Sequence, residues 1–246
     1  MNFSYLKSLL ALSFAVYFFN ASFGQNINPS DTSLPVIPKQ LTIVYDISIK
    51  TNSHKAGIEE TYNGGIKTLF IDNDEARIRL VSLMRVQSIF FSPSMKLNHT
   101  VSVVKESGKK RYKYYLTDKE WNEYNNKYAE DSCALTNDSS VILNYPCRKA
   151  IVTLKDGKSF SVYYTNQLKP IDPKIEPAFS CVPGLVLQYE YEYKKGVIDY
   201  TASKINQNPI DARIFKIPNR GYAVKSYCRG CRTKKAKIVS DEINID

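Results

Sequence analysis

The sequence of 246 residues is poor in histidine, with two, and it contains one tryptophan and three methionines. General acid–base catalysis near neutral pH most often uses histidine, and His54 and His99 both lie in polar segments that we interpret as loops. No G-x-S-x-G elbow, Walker A loop, dinucleotide fingerprint or H-E-x-x-H motif occurs in the sequence. The acidic pairs Glu59-Glu60 and Asp241-Glu242 fit a solvated surface. We therefore expect a binding protein that is not an enzyme and has no cofactor or bound metal.

Long apolar runs are also scarce, and the one near the N-terminus is short. The apolar run 8–19 spans about 12 residues, whereas a bilayer-spanning helix needs about 20. It follows Lys7 and leads into small residues that end at Gly24, which is the order of a secretory signal peptide. We expect cleavage before Gln25 and no transmembrane segment after cleavage. Because no cysteine follows the cut, a lipid anchor is not expected.

The domain organisation is predicted from composition along the chain. Residues 1–24 form the signal peptide, 25–39 a flexible proline-containing leader, 40–232 one β-rich globular domain, and 233–246 a C-terminal tail. The formal net charge is +10, but most basic residues are scattered and no nucleic-acid-binding motif is present. We expect a solvated basic surface and no nucleic-acid partner, with anionic lipid or surface polysaccharide as the alternative.

Aromatic residues favour strands over helices, since 18 tyrosines and 11 phenylalanines suit a half-buried pleated surface. Alternation of apolar and polar residues predicts strands over 41–50, 66–72, 76–83, 86–91, 100–105, 112–116, 141–154, 159–165, 185–193 and 197–205. Polar residues 130–139 and the proline-rich stretch after 165 are predicted loops. Asp156-Gly157 is predicted to form a two-residue turn, which would place Ile151 opposite Val162.

A short helix interrupts the strands at 117–129. Thr117 and Glu120 have the spacing of a capping box, in which each side chain satisfies a free amide at the helix start. Trp121, Tyr124 and Tyr128 then lie on one stripe. We expect this stripe to pack on the sheet, with contact to a ligand as the alternative.

The segment FSCVPGLVLQYEYEY, residues 179–193, carries the clearest strand pattern. Apolar and aromatic side chains from Leu185 to Tyr193 share one face, and Glu190 and Glu192 lie on the other. Such a strand is typical of an antiparallel sheet that is covered on one face.

Two segments resemble the GLPGLI family of exported bacterial proteins. CVPGLVLQYE carries the name-giving motif as Val182, Pro183, Gly184, Leu185 and Val186, followed by Leu187, and DARIFKIPNRGY at 211–222 is similar to the "F-x-I-P" ending of that family. The resemblance covers about residues 140–222. It implies a periplasmic or outer-membrane-surface location in a Gram-negative bacterium. It also implies an α+β, mostly β fold like the periplasmic lipoprotein carriers, with one curved antiparallel sheet, a half-barrel, and one or a few short helices.

Five cysteines are present, and export would allow disulfides to persist. We predict a bridge between Cys147 and Cys181 that clamps the proline-rich loop, with a stabilisation of about 3 kcal/mol. Cys228 and Cys231 form a C-x-x-C sequence, for which a structural disulfide, free thiols, a metal site and redox exchange all remain open.

Three functions are compatible with the sequence. The first is a carrier for a lipid-like or other apolar ligand, held on a concave sheet face. Its candidate contacts are Trp121, Tyr124, Leu185, Leu187 and Tyr189. The second is an accessory subunit of an outer-membrane complex that docks through edge strands or through the loop 177–187. The third is a thiol-based redox or metal-binding protein that uses Cys228 and Cys231.

Overall fold

The computed structural model describes residues 40–227, except 52–56, 58, 130 and 194. The predicted signal peptide, leader and C-terminal tail lie outside the described residues. So do His54, the pair Asp241-Glu242, and both Cys228 and Cys231.

The described residues form one curved, mostly antiparallel sheet of twelve strands, with one α-helix, so the predicted fold class is confirmed. The elements are β1 (Gln40–Thr51), β2 (Ile66–Asp72), β3 (Glu75–Val81), β4 (Val86–Phe91), β5 (Val101–Ser107), β6 (Lys110–Leu116), α1 (Asp118–Tyr124), β7 (Ser132–Ile142), β8 (Tyr145–Thr153), β9 (Ser159–Thr165), β10 (Leu185–Tyr193), β11 (Gly196–Asn206) and β12 (Ala223–Val224). Short 3-10 turns occupy Glu59–Tyr62, Asn126–Tyr128, Pro177–Phe179 and Ala212–Phe215.

Two meanders make up the sheet, in the order β12-β6-β5-β4-β3-β2-β1-β11-β10-β9-β8-β7. Strand β1 pairs with β11 and joins them, and the two-residue strand β12 runs parallel to β6 as an exception to the antiparallel pattern. Strands β6 and β7 follow each other in the chain but lie near opposite ends of the sheet. The connection that contains α1 must therefore pass across the sheet.

The face on which this connection packs is named here the inner face. Direct cross-strand partners share a face of a sheet. Phe91 lies opposite Ala76 and Val101, and Trp121 of α1 packs on Phe91 with ring centroids 5.4 Å apart. The capping box is confirmed, because the Thr117 hydroxyl accepts from the Glu120 amide and the Glu120 carboxylate accepts from the Thr117 amide.

Residues 211–222 cover part of the opposite, outer face. Arg77 lies 4.8 Å from the Phe90 ring centroid and donates to the Ile214 carbonyl at 2.9 Å. Lys113 donates to the Pro218 carbonyl at 2.8 Å, and the Tyr222 hydroxyl donates to Glu106 at 2.6 Å. The segment that resembles the family's "F-x-I-P" ending thus anchors the chain on β3 to β6.

The predicted strand 141–154 and the predicted loop 130–139 are both wrong in extent. These residues form the hairpin β7–β8, whose turn is Leu143-Asn144. Both turn residues have positive φ, 50° and 65°, which matches a two-residue type I′ turn. A leucine at positive φ is uncommon, so the sequence carried only a weak signal for this turn.

The predicted register of the next hairpin is wrong by one residue. Val162 lies opposite Ala150, and Ile151 lies opposite Ser161. A two-residue type I′ turn needs positive φ at both positions, but in this loop only Gly157 has it, at 82°. The chain instead makes a longer loop that is closed by the Leu154 amide donating to the Lys158 carbonyl at 2.8 Å.

The alternation predicted for β10 holds only in its second half. A β-bulge between Val186 and Gln188 interrupts the pairing with β9. As a result Leu185, Val186 and Leu187 are all buried, whereas Glu190 is exposed. The predicted helix 117–129 is likewise shorter, since α1 ends at Tyr124 and a 3-10 turn follows.

Candidate functional site

A buried ion pair lies on the inner face beneath the loop 166–184, which joins β9 to β10 and is named here the cover loop. Lys67 of β2 is only 8% exposed, and its ammonium pairs with the carboxylate of Glu176 in the cover loop, which is 7% exposed. Lys67 also donates to the Tyr189 hydroxyl at 2.9 Å. The centre of the cover loop is thus held to the sheet by a charged contact that is shielded from water.

Aromatic rings surround the Lys67 ammonium. It lies 5.0 Å from the ring centroid of Tyr45, 4.9 Å from that of Tyr189 and 5.8 Å from that of Phe179. Phe179 belongs to the cover loop, whereas the two tyrosines belong to the sheet. Cation–π attraction in such desolvated positions contributes about 1–2 kcal/mol in favourable cases. Rings from both the sheet and the cover loop therefore help to accommodate the charge.

The tyrosines of this region are neutral in the folded protein. Burial raises the pKa of Tyr45, Tyr189 and Tyr200 above the ordinary value, with the nearby Glu176 carboxylate adding to the effect on Tyr45 and Tyr189. Tyr189 stacks on Tyr200 with ring centroids 4.5 Å apart, and the Tyr45 hydroxyl donates to the Val186 carbonyl at 2.8 Å. These rings provide a surface that is apolar over most of its area.

The cover loop is fixed by a disulfide that differs from the predicted one. Cys181 is bonded to Cys133 of β7, and Cys147 is a free, buried thiol, so the predicted Cys147–Cys181 bridge is wrong. In the β7–β8 hairpin Cys147 lies opposite Ser140, seven residues along β7 from Cys133. Burial raises the pKa of the Cys147 thiol, which makes it a poor nucleophile.

The motif residues 182–187 form the entry from the cover loop into β10. A Cβ atom at Gly184 would come within 2.2 Å of the Thr165 carbonyl oxygen, so only glycine allows this close approach of two backbones. The Leu185 amide donates to the Leu168 carbonyl at 3.3 Å. Val182, Leu185, Val186 and Leu187 are all buried. In the structure the motif therefore has a packing role.

The five predicted ligand contacts fall into two separate clusters. Trp121 packs with Phe91 and stacks on Tyr124, with ring centroids 5.4 Å apart in each case. Leu185, Leu187 and Tyr189 belong to a larger cluster built around β1 and β8 to β11. The partly buried Ile175 of the cover loop packs against both clusters. The predicted contacts thus line one face without converging on one point.

Helix α1 and the cover loop are bonded to each other. The Trp121 indole donates to the Lys174 carbonyl at 2.7 Å, and the Lys174 ammonium lies 2.6 Å from the Asp118 carboxylate. Movement of the cover loop would therefore change the surroundings of Trp121.

Sequence reasoning missed Lys67 and Glu176. The signal was present in β2, where Lys67 shares a face with the buried Leu69 and with Ile71. A lysine within an apolar face of a strand needs a buried counter-charge or an exit to water. For metals, the residues that the structure describes contain no group of three or more His, Cys, Asp or Glu side chains positioned to hold an ion. Nor does any helix in this part of the chain have the length and apolar character needed to cross a membrane.

Comparisons with known proteins yield structural likenesses at low identity. No family model and no curated protein matches the chain. PNGF-II has 16% identity and a TM-score of 0.41 over 76% of this chain, which spans only 31% of that protein's length. An uncharacterised conserved protein from Thermus thermophilus has 6% identity and a TM-score of 0.42, covering 77% of this chain and 91% of the other. A putative outer membrane lipoprotein-sorting protein domain from Vibrio parahaemolyticus has 7% identity and a TM-score of 0.20, covering 72% and 88%. These values assign no function to the chain.

Proposed function

We propose that the chain is an exported, non-enzymatic binding protein of the bacterial envelope that holds an apolar chain between the inner face and the cover loop. The observation that carries this proposal is the buried Lys67–Glu176 pair, which joins the sheet to the cover loop. The inner face beside it is lined by tyrosine rings and aliphatic side chains. An apolar ligand would replace the loop's own side chains on this face.

The ion pair suits a closure that can be reversed. Burying two charges costs several kcal/mol per ion, and their attraction roughly offsets this cost. When the cover loop lifts, both charges regain water, so the pair adds little net resistance to opening. The Cys133–Cys181 disulfide holds the end of the loop during such a movement. The loop can then open at its centre without separating from the sheet.

A location in the periplasm or on the outer-membrane surface of a Gram-negative bacterium is part of this proposal. The disulfide fits an oxidising compartment. The resemblance of residues 182–187 to the GLPGLI motif supports the same location.

Titration with a neutral amphiphile tests the proposal. Dodecyl maltoside, kept below its critical micelle concentration, should change the emission of Trp121, the single tryptophan, in a saturable way. Glu176→Gln should tighten the apparent affinity by about ten-fold or more, because the closed form loses its counter-charge and the open form gains population. Glu192→Gln, at an exposed site on β10, is the matched control and should leave the affinity unchanged.

Native mass spectrometry of the protein exported by a bacterial host provides a second readout of retained apolar molecules. The absence of both a saturable emission change and a retained ligand, in the wild type and in Glu176→Gln, would refute the apolar-binding function.

An accessory role in an outer-membrane complex is the second candidate. It is favoured by the edge strand β7, where Leu135 is 60% and Val141 is 70% exposed. An edge strand offers unpaired backbone groups to an added strand. Leu135→Lys should then abolish co-purification with such a complex while leaving the dodecyl maltoside titration unchanged. Retained co-purification in this variant would count against the edge as the docking site.

A further inference from the structure

The turn between β3 and β4 places two large apolar side chains in water. The Ser82 amide donates to the Arg85 carbonyl at 2.9 Å, which leaves Leu83 and Met84 as the tip of the hairpin. Leu83 is 85% exposed and Met84 is 58% exposed. The Leu83 amide also donates to the Thr61 carbonyl at 3.2 Å, so the backbone of the tip is held in place. Single exposed apolar residues are ordinary on protein surfaces, whereas this adjacent pair on a fixed turn forms a small apolar patch.

A lysine-containing turn lies beside this tip. Val86 at the start of β4 lies opposite Glu106 near the end of β5. Strand β5 then turns through Gly108 and Lys109 into β6. The two hairpin tips therefore lie at the same end of the sheet, two inter-strand steps or about 10 Å apart. Lys109 and Lys110 are both exposed, and neither has an ion-pair partner among the residues that the structure describes.

Glu106 and Glu60, two acids near this end of the sheet, already have partners within the protein. The Glu106 carboxylate accepts from the Tyr222 hydroxyl at 2.6 Å and lies 3.7 Å from the Arg111 guanidinium. The Glu60 carboxylate accepts from the Gly57 amide. The apolar tip and the exposed lysines therefore form one surface on which positive charge prevails.

The opposite end of the same meander has the reverse charge. There Leu97, in the loop between β4 and β5, is 84% exposed, and Lys96 is also exposed. The neighbouring turn between β2 and β3, however, carries three acids within residues 72–75. The Ser92 hydroxyl donates to the Glu75 carboxylate at 3.0 Å, so this turn and the loop are in contact. Both ends thus present an exposed leucine, and the charge around it differs.

We propose that the end of the sheet formed by the Leu83-Met84 tip and by Lys109 and Lys110, named here the basic end, docks on the surface of an anionic lipid membrane. The ammonium groups lie at the lipid phosphates, and the two apolar side chains insert at the boundary between headgroups and acyl chains. The docking surface goes beyond the proposed function and does not depend on it.

The combination of charge and apolar surface favours lipid over other anionic partners. An anionic membrane offers negative charge at its surface and an apolar layer directly beneath it. A polyanionic polysaccharide offers the charge without the apolar layer, so it would leave Leu83 and Met84 in water. Each lysine near an anionic membrane strengthens binding by about five-fold.

Co-sedimentation with vesicles tests the docking surface. The wild type should bind vesicles made of equal parts phosphatidylglycerol and phosphatidylcholine at least about ten-fold more tightly than vesicles of phosphatidylcholine alone. Lys109→Gln/Lys110→Gln should weaken binding to the anionic vesicles by about ten-fold or more, because two charges are lost. Leu83→Ser/Met84→Ser should weaken it by about ten-fold or more, because the inserted apolar groups are lost. Far-UV circular dichroism checks that each variant is folded.

The loop at the opposite end supplies matched controls. Leu97→Ser removes an equally exposed leucine and Lys96→Gln an exposed lysine, and neither should change vesicle binding. A tryptophan introduced by Met84→Trp should shift its emission to the blue when anionic vesicles are added, whereas one introduced by Leu97→Trp should not. Trp121 is only 2% exposed and contributes equally to both variants.

The docking surface would be refuted if the wild type did not bind anionic vesicles, or if both double variants bound them as tightly as the wild type. If the lysine variant alone weakens binding and Met84→Trp shows no blue shift, the contact involves charge only, which refutes insertion into lipid. Binding of dextran sulfate with the same loss in the lysine variant would then assign a polyanionic polymer. None of these results refutes the apolar-chain function, because the dodecyl maltoside titration should be unchanged in both double variants.

Discussion

Replacing Glu176 by glutamine should destabilise the protein, because it leaves the Lys67 ammonium buried without a counter-charge. The two side chains are only 10% and 6% exposed for Lys67 and Glu176, respectively. Removing one partner of a buried pair typically costs about 3–5 kcal/mol. Here the Tyr189 hydroxyl and the rings of Tyr45 and Phe179 still contact the ammonium, so we expect a cost near the lower limit, about 3 kcal/mol.

The double variant Lys67→Met/Glu176→Met should recover most of this loss. Two unbranched apolar side chains of similar size remove both charges, and such replacements are often neutral. We expect the double variant to lie within about 1 kcal/mol of the wild type. Urea unfolding followed by Trp121 fluorescence and by far-UV circular dichroism measures the free energies, and coincident transitions verify two-state behaviour.

A double variant as unstable as Glu176→Gln would show that loss of packing, and not an unpaired buried charge, explains both results. A cost below about 1 kcal/mol for Glu176→Gln would show that Lys67 reaches water in solution. Glu192→Gln removes the same charge at an exposed position and should change the stability by less than about 0.5 kcal/mol.

Gly184, the Cys133–Cys181 disulfide and Tyr114 each have a measurable effect on stability. Gly184→Ala should lower the free energy of unfolding in urea by about 3 kcal/mol or more, because the added Cβ would meet the Thr165 carbonyl at 2.2 Å. At Gly157 an added Cβ would meet nothing within 4 Å, so an equal loss in Gly157→Ala would contradict this explanation. Cys133→Ala should lower the free energy of unfolding by about 4 kcal/mol, since the bridge spans a sequence separation of 48. Non-reducing peptide mapping of the wild type should recover the bridged peptides, and a free Cys181 would contradict the pairing. Burial raises the pKa of Tyr114 to about 12, so its contribution to stability is present below pH 10 and is lost as the pH rises from 10 to 12. Tyr114→Phe should therefore make the decline in this range shallower, and an unchanged pH profile would contradict the shift.

Local sequence rules predicted most of the secondary structure. Alternation predicted β1 to β6 to within a few residues, because which side chains of a strand can be buried together depends on their spacing along the chain. The capping box at Thr117 was predictable for a similar reason, since both of its hydrogen bonds join residues three apart. The carrier-like fold that the resemblance to the GLPGLI family implies, with a single curved sheet, is the fold that the structure has.

Features that join distant parts of the chain were predicted less well. The sequence predicts a bridge from Cys181, just before the Pro-Gly step, to Cys147 in a strand, but in the structure Cys181 is bonded to Cys133 of β7. The turn at Leu143-Asn144, which creates that hairpin, has little sequence signal because leucine rarely adopts positive φ. One unrecognised turn therefore changed both a strand assignment and a disulfide.

Local patterns account for the strands, in which apolar and polar residues alternate, for the turns at short polar loops and for the capped helix. The chemistry of the inner face depends instead on contacts between distant parts of the chain. Lys67 stands on an apolar strand face in the sequence, but nothing local identifies its partner, because Glu176 lies 109 residues later and is brought against it by the cover loop. A lone charge could not remain buried there, so the position of its partner in space, which no local pattern encodes, determines whether this face is a solvated surface or an enclosed site.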